Sequence, residues 1–225
     1  DHNEDAILLR PDLNLFVLAD GAGGQNAGNI ASALATTAVA HYYEETEVAF
    51  LAAPDFDMLG LSTHARRLST AIQHANKEII EIAKTSDRRQ GMGTTIVAAH
   101  FQPRASVLHL AYVGDSRCYR FRDGHLEPIT QDHSLLNDVL ELRPDISDDD
   151  ARRIPRNVIT RALGMSANVR ATIRSFEVFP GDVYVMCSDG LTDVLGDAEI
   201  LDTLEAARDP DGMVRALVER AQLEG

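Results

Sequence analysis

The chain has 225 residues, 44% hydrophobic and 25% charged, with a formal net charge of −14. That length suits one large domain able to bury roughly two-thirds to three-quarters of its unfolded surface. A balance this acidic disfavours nucleic-acid binding, which calls for a basic face, and no apolar run approaches the ~18 residues of a membrane span.

In chain order, residues 13–19 (LNLFVLA) read as a short buried strand bounded by Pro11-Asp12 and Asp20-Gly21. The alanine-rich stretch from Asn29 to Glu45 reads as a helix. Leu61, Ala65, Leu68, Ile72, Ala75, Ile79 and Ile82 recur at helical spacing, which predicts an amphipathic helix over 61–84. The period then changes. Residues 94–101, 106–113 and 117–122 are strand-like, and 125–130 follows the Asp123-Gly124 turn signal. Residues 135–157 return to polar, helix-like sequence, with Ser147 and Asp150 spaced as a helix cap. Strand signals reappear at 171–179 and 183–188, and helical patterns at 197–207 and 211–223 close the chain.

Helices and strands thus come in blocks, with no linker or repeat between them, which predicts a single α+β domain over 1–225 with antiparallel sheets and flanking helices. The two cysteines, Cys118 and Cys187, lie apart in strand-like runs. They make neither a zinc site nor a disulfide framework, and a reducing cytoplasm is the expected location.

A pattern then repeats. VLADG (17–21), YVGDS (112–116) and VMCSDG (185–190) each carry apolar residues into an aspartate beside a glycine, and Glu4-Asp5 precedes the strand at 13–19. One such aspartate is usually a turn residue. Three at the ends of apolar strands imply carboxylates that repel one another unless a cation or proton intervenes. Hard oxygen donors without a histidine or cysteine cluster favour Mg²⁺ or Mn²⁺ over zinc.

The competing readings are weaker. Asn26 stands where a dinucleotide fingerprint needs its third glycine, and no P-loop G-K-[ST] is present. Ser116 and Ser188 lack the G-x-S-x-G elbow of a serine nucleophile. His133 has three possible roles, as an acid, a phosphate contact or a satisfied interior histidine, and the last is favoured. The glycines after Asp20 are read as places of close backbone approach, with the Gly21 carbonyl facing a metal.

In this order, NEDA (3–6), LADGAGG (18–24), GMGTT (91–95), YVGDSRCY (112–119), ITQDHS (129–134), ITRALG (159–164) and VMCSDGLTDVL (185–195) resemble the metal-dependent Ser/Thr protein phosphatases of type 2C in their bacterial form. The resemblance implies a four-layer α-β-β-α sandwich with two antiparallel β-sheets. It implies that Asp20 bridges two Mn²⁺ or Mg²⁺ ions, that Gly21 lends its carbonyl to one and that Asp189 holds the other. Glu4 and Asp5 would sit around the site as ligands or through water, and Asp115 would help hold a third ion. Asp20 and Asp189 would be the catalytic pair. Two such ions lower the pKa of a shared water, and the resulting hydroxide attacks phosphorus in line.

The same resemblance places a flap subdomain at 135–157, although a plain solvated helix pair fits that stretch equally well. The family's phosphate-binding arginine falls one residue before Asp1, and its last metal aspartate falls beyond Gly225. Where eukaryotic members carry a histidine after the first Asp-Gly, this chain has Ala22. The implied substrates are phosphoserine and phosphothreonine proteins, targets of bacterial Ser/Thr kinases, acted on by a monomer. The alternatives are a non-catalytic phosphatase-like binding module and a hydrolase of small phosphoesters.

Overall fold

The computed structural model describes residues 3–23, 27–56, 62–155 and 157–225, so that Gly24 of the glycine run and Leu61 of the second predicted helix lie outside the described residues. The chain opens with β1 (Asp5–Arg10) and β2 (Leu15–Ala22), followed by helices α1 (Ala27–Leu51) and α2 (Thr63–Ala83). Five strands come next: β3 (Gly93–Thr94), β4 (Ile96–Gln102), β5 (Val107–Val113), β6 (Arg117–Arg122) and β7 (His125–Pro128). Two short helices, α3 (Leu135–Leu142) and α4 (Asp148–Ala151), precede β8 (Thr172–Glu177) and β9 (Val183–Cys187). The one-turn α5 (Asp189–Thr192), then α6 (Asp197–Ala206) and α7 (Pro210–Glu224), complete the order.

Two sheets form, and every strand pair named here is antiparallel. The first runs β1-β2-β4-β5-β8 with β3 on β2; the second runs β7-β6-β9. Side-chain alternation along the strands sorts the core into layers. On β4, Ile96 and Ala98 face α1 and α2, whereas Val97 and Ala99 face the second sheet. On β5, Ala111 and Val113 face the helices, and Leu108, Leu110 and Tyr112 face the second sheet. Strands covered on both sides read as continuous apolar runs, which is why β4 and β5 were legible. A third core joins Tyr119 and Cys187 of the second sheet to Leu195, Ile200, Leu204 and Leu217 of the last helices. Each aliphatic side chain buried there contributes roughly 1.5–3 kcal/mol. The layers are therefore helix, sheet, sheet, helix, as expected.

Small residues set how closely α1 approaches the first sheet: Ala31, Ala35 and Ala38 are buried on its inner face. Ser62 caps α2, its side chain accepting from Ala65 N–H at 3.3 Å.

The sequence reading places Glu4-Asp5 ahead of a first strand at 13–19, and the structure corrects this. Residues Asp5–Arg10 form an additional edge strand, on which Ile7 and Leu9 are 68% and 64% exposed. A half-solvated edge strand of six residues gives no buried apolar run to read. The excursion over 135–157 leaves and rejoins the body at a Ser134↔Ile159 bridge, and α3 and α4 bury no residue.

Candidate metal centre

Alternation on β2 decides where its last side chains point. Leu15, Val17 and Ala19 face the helices, so Asp20 faces the side of the second sheet and Gly21 faces α1. Asp5 pairs directly opposite Asp20 in the β1–β2 ladder and so shares its face. From the second sheet, β9 ends at Cys187 and delivers Ser188 and Asp189 to the same place. Ser188 Oγ donates to Asp5 Oδ2 at 2.9 Å, which ties the two sheets together beside Asp20. Ser188 is the N-cap residue of α5, but its hydroxyl makes no cap bond and is turned to Asp5.

The electrostatics follow from this convergence. Burial, then the charge of Asp189, then that of Asp5, pushes the Asp20 carboxyl up to about 8, and both neighbours lie within hydrogen-bonding reach of it. Asp20 is half-buried while Asp5 and Asp189 are exposed, so Asp20 is the group that takes up a proton first. Asp115, in the turn between β5 and β6, is raised to about 6 by burial and then by Asp189. Asp189 therefore couples Asp20 on one side to Asp115 on the other.

Four of the expected residues, Asp5, Asp20, Asp115 and Asp189, are thus brought together. Glu4 lies against the first turn of α1: a Cβ on Gly28 would stand 2.5 Å from Glu4 Oε2 and 2.8 Å from the Gly21 carbonyl carbon. A helix N-terminus favours a carboxylate in that position. The close backbone approach expected at Gly21 is made to α1. A Cβ there would meet the Gly28 carbonyl oxygen at 2.1 Å, so the missing side chain lets α1 seat against β2.

The cluster fits a hard divalent cation. Carboxylates that force a proton onto Asp20 near neutral pH are relieved by a positive ion, and all the converging donors are oxygens. Among the described residues, no three His, Cys, Asp or Glu side chains close into a ready-made cage. An open arrangement suits Mg²⁺, which keeps several of its waters.

Around the carboxylates lies a shell of hydroxyls and one imidazole. Thr94 Oγ1 donates to the Asp20 carbonyl at 2.8 Å, and the Thr95 amide donates to the same oxygen at 2.8 Å. Thr95 Oγ1 accepts from Asp20 N–H at 3.1 Å and shares a bond with Ser116 Oγ at 2.7 Å. Ser116 is buried, which removes it from consideration as a nucleophile. The quoted GMGTT segment contained the two threonines, but nothing in their spacing signals what they bond. His133 is the satisfied interior histidine favoured above. Its Nδ1 accepts from Gly114 N–H at 3.1 Å, its Nε2 pairs with Thr172 Oγ1 at 2.8 Å, and burial first, then Arg161, holds its pKa down to about 4.

A cavity of about 400 Å³ opens at the far end of the first sheet, beside His64, Arg67 and His100. There His64 Nδ1 and His100 Nε2 bond each other at 2.9 Å and His109 bonds Ser175 at 2.8 Å, making a stacked, neutral polar layer.

The comparisons agree with this geometry. A family model described as protein phosphatase 2C matches residues 1–222. The chain is 35% identical over 211 residues to the serine/threonine phosphatase stp of Listeria innocua, covering 92% of this chain and 79% of that one. It resembles the crystal structure of the Mycobacterium tuberculosis serine/threonine phosphatase PstP/Ppp with a TM-score of 0.82 at 32% identity, over 100% of this chain and 87% of that one. It also resembles the catalytic domain of PstP in complex with two manganese ions, with a TM-score of 0.79 at 32% identity, over 100% of this chain and 86% of that one. With the match running from one end to the other and the acidic strand ends meeting between the sheets, the chain belongs to the protein phosphatase 2C family.

Proposed function

We propose that this chain is a Mn²⁺- or Mg²⁺-dependent protein phosphatase that hydrolyses phosphoserine and phosphothreonine. The observation that carries the reading is the meeting of Asp20 and Asp5 from one sheet with Asp189 from the other, a pairing whose charge asks for a cation. Asp20 and Asp189 hold the ions, Asp5 and the Gly21 carbonyl support them, and Asp115 serves a further ion. Glu4 acts from its place against the first turn of α1, as a ligand or through water. When bound, such ions supply an activated water and neutralise charge on the phosphoryl oxygens.

The chain's own residues supply rigidity. Asp20 lies within β2 on its ladder to β1, and Asp189 opens α5 two residues after β9 ends, so one carboxylate is carried on a paired strand and the other directly behind one. Ser188 fixes Asp5, and the Thr95 hydroxyl and amide fix the backbone of Asp20 on both sides. Ala22 has no titratable side chain, so the leaving alkoxide takes its proton from a bound water or another group. Residues 135–157 form the flap: Arg117 grips Asp132 through two hydrogen bonds at 2.9 and 2.7 Å, and Asn137 Nδ2 of α3 donates to the Asp132 carbonyl at 2.9 Å. That chain of contacts joins the flap to the strand that follows Asp115.

Substrates are phosphoproteins, and we assign them to the targets of Ser/Thr kinases, acted on by a monomer in the cytoplasm. None of the described helices is long and apolar enough to cross a membrane.

The test is phosphate release from a phosphothreonine peptide with Mn²⁺ and then with excess chelator. Release that the chelator stops supports the reading. A folded protein that binds Mn²⁺ but releases no phosphate from the peptide or from a small phosphoester contradicts it.

A further inference from the structure

We propose that Thr95 is a positioning residue that sets the spacing between Asp20 and Asp115, through a hydroxyl link running from the Asp20 amide to Ser116. The proposal rests on the reading of Asp20 and Asp115 as metal-holding carboxylates and assigns the side chain that holds them in register.

Thr95 lies between β3 and β4 and is 2% exposed. Its hydroxyl is in two bonds at once, accepting from Asp20 N–H at 3.1 Å and pairing with Ser116 Oγ at 2.7 Å. While the oxygen accepts from the amide it keeps a proton and a second lone pair for Ser116, so the link from β2 to the β5–β6 turn closes with either hydroxyl as donor. The carbon side of the same residue faces that turn as well. A Cβ built on Gly114 would stand 2.7 Å from both Cβ and Cγ2 of Thr95, so the threonine packs flat against Gly114. Gly114 has φ of +107°, a conformation that glycine adopts without strain.

Thr95 therefore touches the residue before Asp115 with its carbon atoms and the residue after it with its oxygen, while bonding the backbone of Asp20. No other described side chain is recorded in contact with all three. Moving Thr95 would move Asp115 relative to Asp20. The hydroxyl of Thr94, its neighbour, bonds the carbonyls of Asp20 and Thr95, neither of them in the Asp115 turn.

Two substitutions separate the hydroxyl from the shape. Thr95→Val keeps the volume and removes the link; Thr95→Ser keeps the link and removes the methyl group. Groups that orient metal ligands are worth about 10–100-fold in metal affinity or activity. The measurement is Mn²⁺ titration by calorimetry on the full chain, with the metal-free melting temperature recorded for each variant and turnover of a phosphothreonine peptide run beside it. We expect Thr95→Val to weaken Mn²⁺ binding and lower kcat by about tenfold or more with KM for the peptide little changed, and Thr95→Ser to stay within about threefold of the parent. Should Thr95→Val fail to fold, Ser116→Ala cuts the far end of the link, and a several-fold loss of Mn²⁺ affinity is expected there. Parent-like Mn²⁺ affinity in Thr95→Val, or in Ser116→Ala when that variant must stand in, overturns the proposal. Equal losses in Thr95→Val and Thr95→Ser also overturn it, since packing alone would produce them. If the parent itself binds Mn²⁺ but turns over no peptide, the phosphatase reading fails while the calorimetric comparison still decides the role of Thr95.

Discussion

Ser188 Oγ and Asp5 Oδ2 are 2.9 Å apart although 183 residues separate them in the chain. The bond joins the start of β1 to the end of β9, and so brings one sheet's edge to the other sheet at the point where Asp20 and Asp189 meet. The site is thus a product of sheet-on-sheet packing, because no single segment of the chain contains it. Its behaviour on mutation follows from that.

Asp20→Asn and Asp189→Asn are expected to abolish metal-dependent turnover, with activity reduced by at least 10²-fold, while each protein remains folded by circular dichroism. Both remove a negative donor whose charge the ions need. Activity within tenfold of the parent in either variant contradicts the assignment.

Above about pH 6.5, where the buried His100, His109 and His133 have finished adding stability, the metal-free protein is expected to lose stability as pH rises to about 8. The sign follows from Asp20. Its folded pKa, about 8, lies above the unfolded value near 3.9, so the folded state holds the extra proton across that window. Stability from that proton is complete below the unfolded pKa and gone above the folded one, and Asp115, raised to about 6, adds in the same direction. Thermal melts of chelator-treated protein check this. Asp20→Asn should flatten the curve and melt higher than the parent at pH 8. Added Mn²⁺ should stabilise the parent more at pH 8 than at pH 5, because its ligands must be deprotonated.

His133 titrates with the opposite consequence. Its folded pKa of about 4 lies below the ordinary 6.5, so its contribution is complete above pH 6.5 and disappears as pH falls through 4. Replacing it by alanine leaves the buried Gly114 N–H without its acceptor, at a cost of about 1–3 kcal/mol. Denaturant melts at pH 7.5 measure the loss, and a change below about 0.5 kcal/mol contradicts the bonding described.

Ser188→Ala should keep substantial turnover, within about tenfold of the parent. Its hydroxyl orients Asp5 and touches no reacting atom. A complete loss in a well-folded protein would return Ser188 to consideration as a nucleophile.

Much of this architecture was legible because burial leaves a mark in sequence. β4 and β5, covered on both faces, read as unbroken apolar runs, and α2 carries Leu68, Ile72, Ala75 and Ile79 at helical spacing, all fully buried. The acidic strand ends were legible for the same reason: Asp20 and Asp189 interrupt or follow apolar strands abruptly. β1 was not legible, because an edge strand with Ile7 and Leu9 in solvent has no buried face to announce it. Nor were the Thr95–Ser116 link and the partner that Gly21 approaches. Both are contacts between segments far apart in the chain, and a hydroxyl or a missing Cβ carries no local pattern that names its partner.

The most direct test of the central claim, that Asp20 and Asp189 together hold divalent cations, is Mn²⁺ titration by calorimetry of the parent, Asp20→Asn and Asp189→Asn at pH 7.5. The account predicts saturable binding by the parent, at least tenfold weaker binding by both variants, and proton release on binding to the parent that is reduced in Asp20→Asn. Equal Mn²⁺ affinity in all three proteins would contradict it.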